Sequence, residues 1–453
     1  MLIQPLQHCS LAKPQIQVSD FLTITPETSC SIYTAKFFSD THFQTTHSLE
    51  QNGKAQGITL GQALRRTTKA ISKCKKDIEP LFVSVGDTFG FLESWESPYM
   101  PTEADGSLIN PDENLRVLRE IANHNPVPME EMRRFLMSSE HAKLILVEGN
   151  HDAVIFHLDS DNCRQFLAET LLPEASWEER ERKIKFCKSG SIPVLGIQFE
   201  HGHRFDPFNY ANGKRPWGDW VTVKSTLLLR EIILKLKSCG LRPKVLNKMI
   251  ARTERMLRLR PSTAFPLYLN YLSALFEKKY GKAEPNKVAK VREVLLSHSQ
   301  EIGKLFEELP FIQSLKRRKL FPSPLGKFFR SSTFQKVFTK IVAMCENWKS
   351  DNNRPPLEEC KRLAKETGIN LFISGHTHKA AHIEEKIRGR EVHYVNTGTW
   401  IPFKMVHFDG FENIFSGSTY PKAITTAMLD LSQSKTARYL FASEEEWKQK
   451  VVK

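Results

Sequence analysis

Five short motifs in this 453-residue chain carry carboxylate, carboxamide and imidazole groups at spacings that could hold metal ions. They are Asp40-Thr41-His42, Gly86-Asp87, Gly149-Asn150-His151-Asp152, His201-Gly202-His203 and Gly375-His376-Thr377-His378. A carboxylate beside an imidazole makes a borderline donor set, suited to Mn, Fe, Zn or Co rather than Ca. Asp87 has oxygens enough to bridge two cations. Asn150 adds an oxygen ligand without adding negative charge, and His201, His376 and His378 supply nitrogens. A single D-x-H or H-x-H arises readily by chance, and Asp after Gly is a common turn residue. The ordered set of five is the informative signal.

Each motif ends an apolar run, which says what must position it. The runs read FFSDTH, LFVSVGD, LILVEGNHD, VLGIQFEHGH and LFISGHTH, and a sixth, HYVNTGTW, carries Asn396 and Thr399. An apolar, β-branched or aromatic run that stops on Gly is a buried strand entering a loop. Ligands of α/β sheets gather at the carboxyl ends of strands. Six strands converging on one sheet edge are therefore expected. Alternation along an extended chain would put Asp40 and His42 on one face, and likewise His376 and His378. Helical stretches at 61–76, 114–124 and 357–368 lie between the runs, giving an α/β pattern. ITTAMLDLS and ARYLFAS near the end read as a closing pair of strands.

The chain is 40% hydrophobic and 26% charged, an ordinary globular balance. No stretch reaches the 18 or more apolar residues of a membrane span. The start lacks the basic and apolar regions of a signal peptide, and the eight cysteines form no C-x-x-C pair. A cytoplasmic protein with reduced thiols is the expectation. The net charge of +14 is local: residues 211–345 hold 28 Lys and Arg against 9 Asp and Glu, a net of +19, leaving −5 elsewhere. Four regions follow: an N-terminal arm at 1–30, a first catalytic segment at 31–205, a basic helical insertion at 206–350, and a second catalytic segment at 351–453.

The series D-x-H, G-D, G-N-H-D, H-G-H, G-H-x-H resembles the calcineurin-like metallophosphoesterase superfamily over residues 35–205 and 368–435. The resemblance implies a four-layer αββα sandwich, two mixed sheets flanked by helices, with a dinuclear centre between them. By position, one ion would take Asp40, His42, Asp87 and His378. The other would take Asp87, Asn150, His201 and His376, with Asp87 bridging. His151 matches the family histidine that contacts the substrate phosphate and helps the leaving group depart. Two divalent ions, Mn foremost with Fe, Zn or Co as alternatives, would neutralise phosphate charge and activate water. Many relatives carry an acid where this chain has Gly90; Glu93, Glu96 and Asp152 are the candidates to replace it. The G-D-T-F-G-F-L-E-S-W stretch is similar to bacterial UDP-diacylglucosamine pyrophosphatases, one subgroup of which has Arg where this chain has His151. In such relatives H-G-D is common where His203 stands; His203 is expected to contact substrate or to bond His201 or Asp206. The D-R-G continuation of protein phosphatases is missing. Asn396 and its neighbours are expected to brace the metal loop.

The insertion leaves several readings open. From 243 to 260, Val245, Leu246, Met249 and Ile250 share one helical face, and Lys244, Lys248, Arg252 and Arg255 another. Residues 316–330 mix Lys316, Arg317, Arg318, Lys319, Lys327 and Arg330 with Phe321, Phe328 and Phe329. Besides a plain solvated face, this suits a lid over a phosphorylated anionic or lipid-linked substrate, a dock for an anionic membrane through 243–330, or a nucleic-acid surface. The expected activity is hydrolysis of a phosphodiester or pyrophosphate bond. A nuclease-type phosphodiesterase and a non-catalytic binding module are the alternatives.

Overall fold

The structure, a computed structural model, describes residues 15–25, 32–43, 65, 68, 78–91, 111–205, 231–232, 234–254, 259–260, 265–307, 354–377, 381–398, 404–405, 425–430 and 438–443. His378, Thr399, Glu93, Glu96, Asp206, most of the 61–76 stretch and the 316–330 cluster lie outside them.

All six motif-bearing runs contain strands. These are β2 (Ile32–Phe38), β3 (Ile78–Ser84), β4 (Lys143–Val147), β6 (Ile197–Glu200), β8 (Leu371–Ser374) and β10 (Arg390–Asn396). They belong to one curled, mostly parallel mixed sheet with β1 (Val18–Thr23), β5 (Ile184–Ile192), β9 (Ala381–Ile387), β12 (Thr425–Asp430) and β13 (Arg438–Ser443). The order is β13-β12-β2-β3-β4-β5-β6-β8-β10-β9, with β1 parallel to β5 on its other edge. The two closing strands pair antiparallel, as their spacing predicts.

One register detail explains why the carboxyl ends meet. The first half of β5 pairs in parallel with β4, Val147 opposite Cys187. Its second half pairs antiparallel with β6, Glu200 opposite Ser189. Because β1 occupies the opposite edge of β5, β4 and β6 approach along the same edge, nose to nose. Their carboxyl ends stop two β5 positions apart, about 7 Å. β2 and β3 run parallel to β4, and β8 runs parallel to β6, so their ends follow.

Side-chain alternation divides the core. Phe38, Phe82, Leu144 and Leu146 pack against helices α1 (Pro111–His124), α2 (Pro126–Met137) and α4 (Asp161–Leu171), which follows the short α3 (Ala153–Phe156). In α1, Pro111 opens the first turn, Asp112 and Glu113 complement its amide end, and Val117, Leu118 and Ile121 make the buried face. The alternate residues Phe37, Leu81, Val83, Ile145 and Val147 pack with Ile197, Phe199, Ile373 and Val395. After α5 (Trp177–Lys183), a further helix of the α/β part is at Arg354–Glu366, whose Cys360, Leu363 and Ala364 cover Phe372, Val392 and Tyr394.

The described part of the insertion is helical, with α6 (Pro243–Glu254), α7 (Phe265–Tyr280) and α8 (Pro285–Glu307). The helix at Arg354–Glu366 is therefore α9. Leu269, Leu272, Val291 and Leu295 are buried on α7 and α8. This region, expected to be helical, also holds a short strand. The two-residue β7 (Leu259–Arg260) pairs with β11 (Lys404–Met405), joining insertion and C-terminal segment through backbone bonds that hydrophobic periodicity does not register. Among the described residues, no helix is long and apolar enough to cross a membrane.

Candidate metal centre

The ends of β2, β3, β4, β6 and β8 lead directly into the five motifs, and the chain turns sharply there. Among the described residues five non-glycine positions have positive φ. Four of them are Asp40 (53°), His42 (44°), Asp87 (52°) and His376 (69°). Left-handed backbone costs an L-residue roughly 1–2 kcal/mol, and such strain concentrates at functional sites. β2 ends at Phe38, so Asp40 and His42 reach the site through left-handed turns rather than strand alternation, which corrects the sequence expectation. Backbone bonds hold these turns, from Asp40 N to the Gly86 carbonyl (3.0 Å) and from His42 N to the Asp87 carbonyl (2.9 Å).

The glycines before the ligands are points of close approach. A Cβ on Gly86 would lie 2.4 Å from the His201 ring, one on Gly149 2.1 Å from Asp87 Oδ1, and one on Gly375 2.5 Å from Asp40 Oδ2. Each glycine therefore makes room for a candidate ligand from a different motif.

Asp87 is at the centre and buried. Its Oδ1 accepts the His151 backbone N–H at 2.8 Å. Its Oδ2 lies 3.1 Å from His201 Nε2 and 3.6 Å from His42 Nε2, yet accepts no well-directed hydrogen bond. Asp40 Oδ1 stands 3.8 Å from His42 Nε2, while Asp40 Oδ2 accepts from His376 N (3.0 Å) and from the Ser39 hydroxyl. On the other side, Asn150 Oδ1 is 3.2 Å from His201 Nε2 and 3.0 Å from His376 Nδ1. Two groups of donors, His42–Asp87–His151 and Asp87–His201–His376, each have ligand atoms within 4.8 Å of one another and could hold a metal ion. Asp87 is common to both, and its buried Oδ2, between His42 and His201, fits a bridging role. The structure thus brings together Asp40, His42, Asp87, Asn150, His151, His201 and His376; His378 lies outside the described residues.

Supporting groups aim these donors. The Val85 carbonyl, 2.8 Å from His201 Nδ1, orients that ring so that Nε2 faces Asp87. Asn396 donates from Nδ2 to the Gly375 carbonyl (2.6 Å) and to Thr377 Oγ1 (3.0 Å), the bracing role expected of it. Thr397 Oγ1 lies 2.6 Å from Ser39 Oγ, a link that no sequence motif signals. Asp152 accepts from the amides of Gly149 (2.8 Å), Thr88 (2.7 Å) and Phe89 (3.3 Å). It therefore ties the G-D loop to the G-N-H-D loop. The His203 ring stands 5.5 Å from that of His201 and 6.4 Å from that of His376.

The electrostatics favour cations. Burial pushes the Asp87 carboxyl up, but the imidazoles of His201, His151 and His42 together hold it well below the usual range. Burial also opposes a charge on His201, yet Asp87, Asp40 and the Val85 carbonyl lift it to about 9. A cation needs a neutral imidazole and displaces this proton. Mn²⁺ affinity is therefore expected to climb with pH up to about 9 and level off above it. Titration calorimetry in buffers of different protonation enthalpy measures the proton released.

Comparison with models of known protein families gives no match, and comparison with curated protein sequences gives none either.

Proposed function

We propose that this protein is a metal-dependent phosphohydrolase of the calcineurin-like metallophosphoesterase kind. It would cleave a phosphodiester or pyrophosphate bond in an anionic metabolite, lipid-linked metabolites included. The observation that carries the reading is the buried Asp87 Oδ2 between His42 and His201, with Asp40 on one side and Asn150 and His376 on the other. The succession of three apolar cores, under α1, α2 and α4, within the curl of the sheet, and under α9, supports a four-layer αββα arrangement.

Divalent ions held by Asp40, His42, Asp87, Asn150, His201 and His376 would supply Lewis-acid charge neutralisation and an activated water. The chain's own groups do the rest. His151, a member of the first donor group, has its ring centroid 4.5 Å from that of His42 and its backbone N–H on Asp87. It is suited to deliver a proton to the departing oxygen. Asp152 and Asn396 keep the loops in register, so the phosphate meets a pre-arranged site. The insertion begins beside this centre, where Arg204 pairs with Glu200 and with Glu359 (3.2 Å). Its excess of Lys and Arg supports an anionic substrate.

Hydrolysis of bis-p-nitrophenyl phosphate with Mn²⁺ tests the reading. Chelation should abolish turnover and Mn²⁺ restore it. His151→Ala should lose about 10²–10⁴-fold on diesters with poor leaving groups and much less on p-nitrophenyl esters, which need no proton. An equal loss on both would remove His151 from the acid role.

A further inference from the structure

A second set of side chains of metal-ligating type, sharing no residue with this centre, is on the hairpin of β9 and β10. β9 is the edge strand of the sheet. The two strands pair antiparallel, with Glu384 opposite His393, Lys386 opposite Glu391 and His382 opposite Val395. Directly opposed residues share a face, so His382, Glu384 and His393 project from the same side. The other face of the hairpin is committed to α9, through Ile383, Ile387, Val392 and Tyr394.

The distances in this cluster are those of a coordination shell. His382 Nε2 lies 3.1 Å from His393 Nδ1 and 3.5 Å from Glu384 Oε1, and His393 Nδ1 lies 3.9 Å from Glu384 Oε1. Donor atoms about 2.0–2.2 Å from a tetrahedral zinc ion stand about 3.3–3.6 Å from one another. The three separations bracket that edge length, so one ion can sit over the triangle with little side-chain movement. The remaining nitrogen of His393, Nε2, faces Glu391 Oε1 at 3.6 Å. A carboxylate on the far nitrogen is the usual way to fix the tautomer and raise the basicity of a metal-bound histidine. The two imidazole rings are stacked, with centroids 5.3 Å apart and planes at 28°.

We infer that His382, Glu384 and His393 form a mononuclear site for a divalent d-block cation, zinc foremost, oriented by Glu391. Two imidazoles and a carboxylate are a zinc donor set. His382 and Glu384 are exposed and His393 is buried, so the fourth position opens to solvent. The ion clips the edge strand to β10. Three residues beyond His393, β10 reaches Asn396, which braces the His376 loop. Occupancy thus stiffens the strand that carries the brace.

The site is tested by counting zinc in the full-length protein after equilibrium dialysis. His382→Ala and Glu384→Gln lie on an exposed strand face, and circular dichroism verifies their folding. Each should bind one zinc fewer than the parent chain. The difference stands whether or not the Asp87 centre takes metal, because a failure there lowers parent and variants alike. Co²⁺ in place of zinc should give the intense visible bands of a four-coordinate ion, and His382→Ala should remove that contribution. Glu391→Gln should weaken zinc binding about 10- to 100-fold while leaving the stoichiometry intact. Equal zinc content in the parent chain and both ligand variants would overturn the assignment.

Discussion

Asp87→Asn is expected to lower Mn²⁺-dependent hydrolysis of bis-p-nitrophenyl phosphate by about a thousandfold or more, and to reduce metal content in parallel. Asparagine has the shape of aspartate and keeps an oxygen to accept the His151 amide, now 2.8 Å from Oδ1. Local folding should therefore survive. What disappears is the negative charge on Oδ2, which faces His201 at 3.1 Å and His42 at 3.6 Å. Both donor groups of this centre include this residue, so one substitution weakens both. A thousandfold loss corresponds to about 4 kcal/mol of transition-state stabilisation, which is modest for a residue that would serve two ions. Metal content by mass spectrometry and turnover on the same preparation measure the effect. Activity within tenfold of the parent protein would sink the metal assignment.

Gly149→Ala should be nearly as damaging, although it removes no functional group. Its methyl would lie 2.1 Å from Asp87 Oδ1 and 2.2 Å from the Asp87 backbone nitrogen. A flexible side chain could swing away from such a contact, but a backbone nitrogen cannot. Asp87, already in a left-handed turn at φ 52°, must shift with its loop. Misplacement of about 1 Å at a reacting centre costs on the order of a hundredfold. Overpacking should add a stability loss of about 1–3 kcal/mol. Gly240→Ala is the contrasting control. Gly240, unlike Gly149, has positive φ, at 66°, and nothing lies within 4 Å of its Cβ direction. That variant should lose about 1–2 kcal/mol of stability and keep full activity. Thermal unfolding and kcat for the two variants separate strain from displacement.

The readable parts of this protein are those governed by local rules. β2, β3, β4, β6, β8 and β10 were legible because burial on both faces selects continuous apolar runs, and a loop must follow where Gly interrupts them. The closing pair β12–β13 and helix α9 were legible for similar reasons. β5 was not singled out; it begins IKFCK, mixing Lys with apolar residues, and its partners come from distant parts of the chain. β9 escaped because an edge strand with an alternating exposed face reads as a charged loop. Asp152 shows the same limit in the site. It was a candidate to replace the missing acid at Gly90, but its oxygens go to the amides of Gly149, Thr88 and Phe89.

By itself, then, the sequence determined which groups could do the chemistry and that each would stand at the end of a strand. Residue type, glycine placement and hydrophobic run length are all local properties. Tertiary structure alone decided how those ends meet. The head-on approach of β4 and β6 along β5 brings Asn150 and His201 together, and the left-handed turns at Asp40, His42, Asp87 and His376 aim their side chains. Register and backbone handedness depend on partners far away in the chain. For the same reason His382 and Glu384 acquired meaning as ligands only when β10 laid His393 beside them.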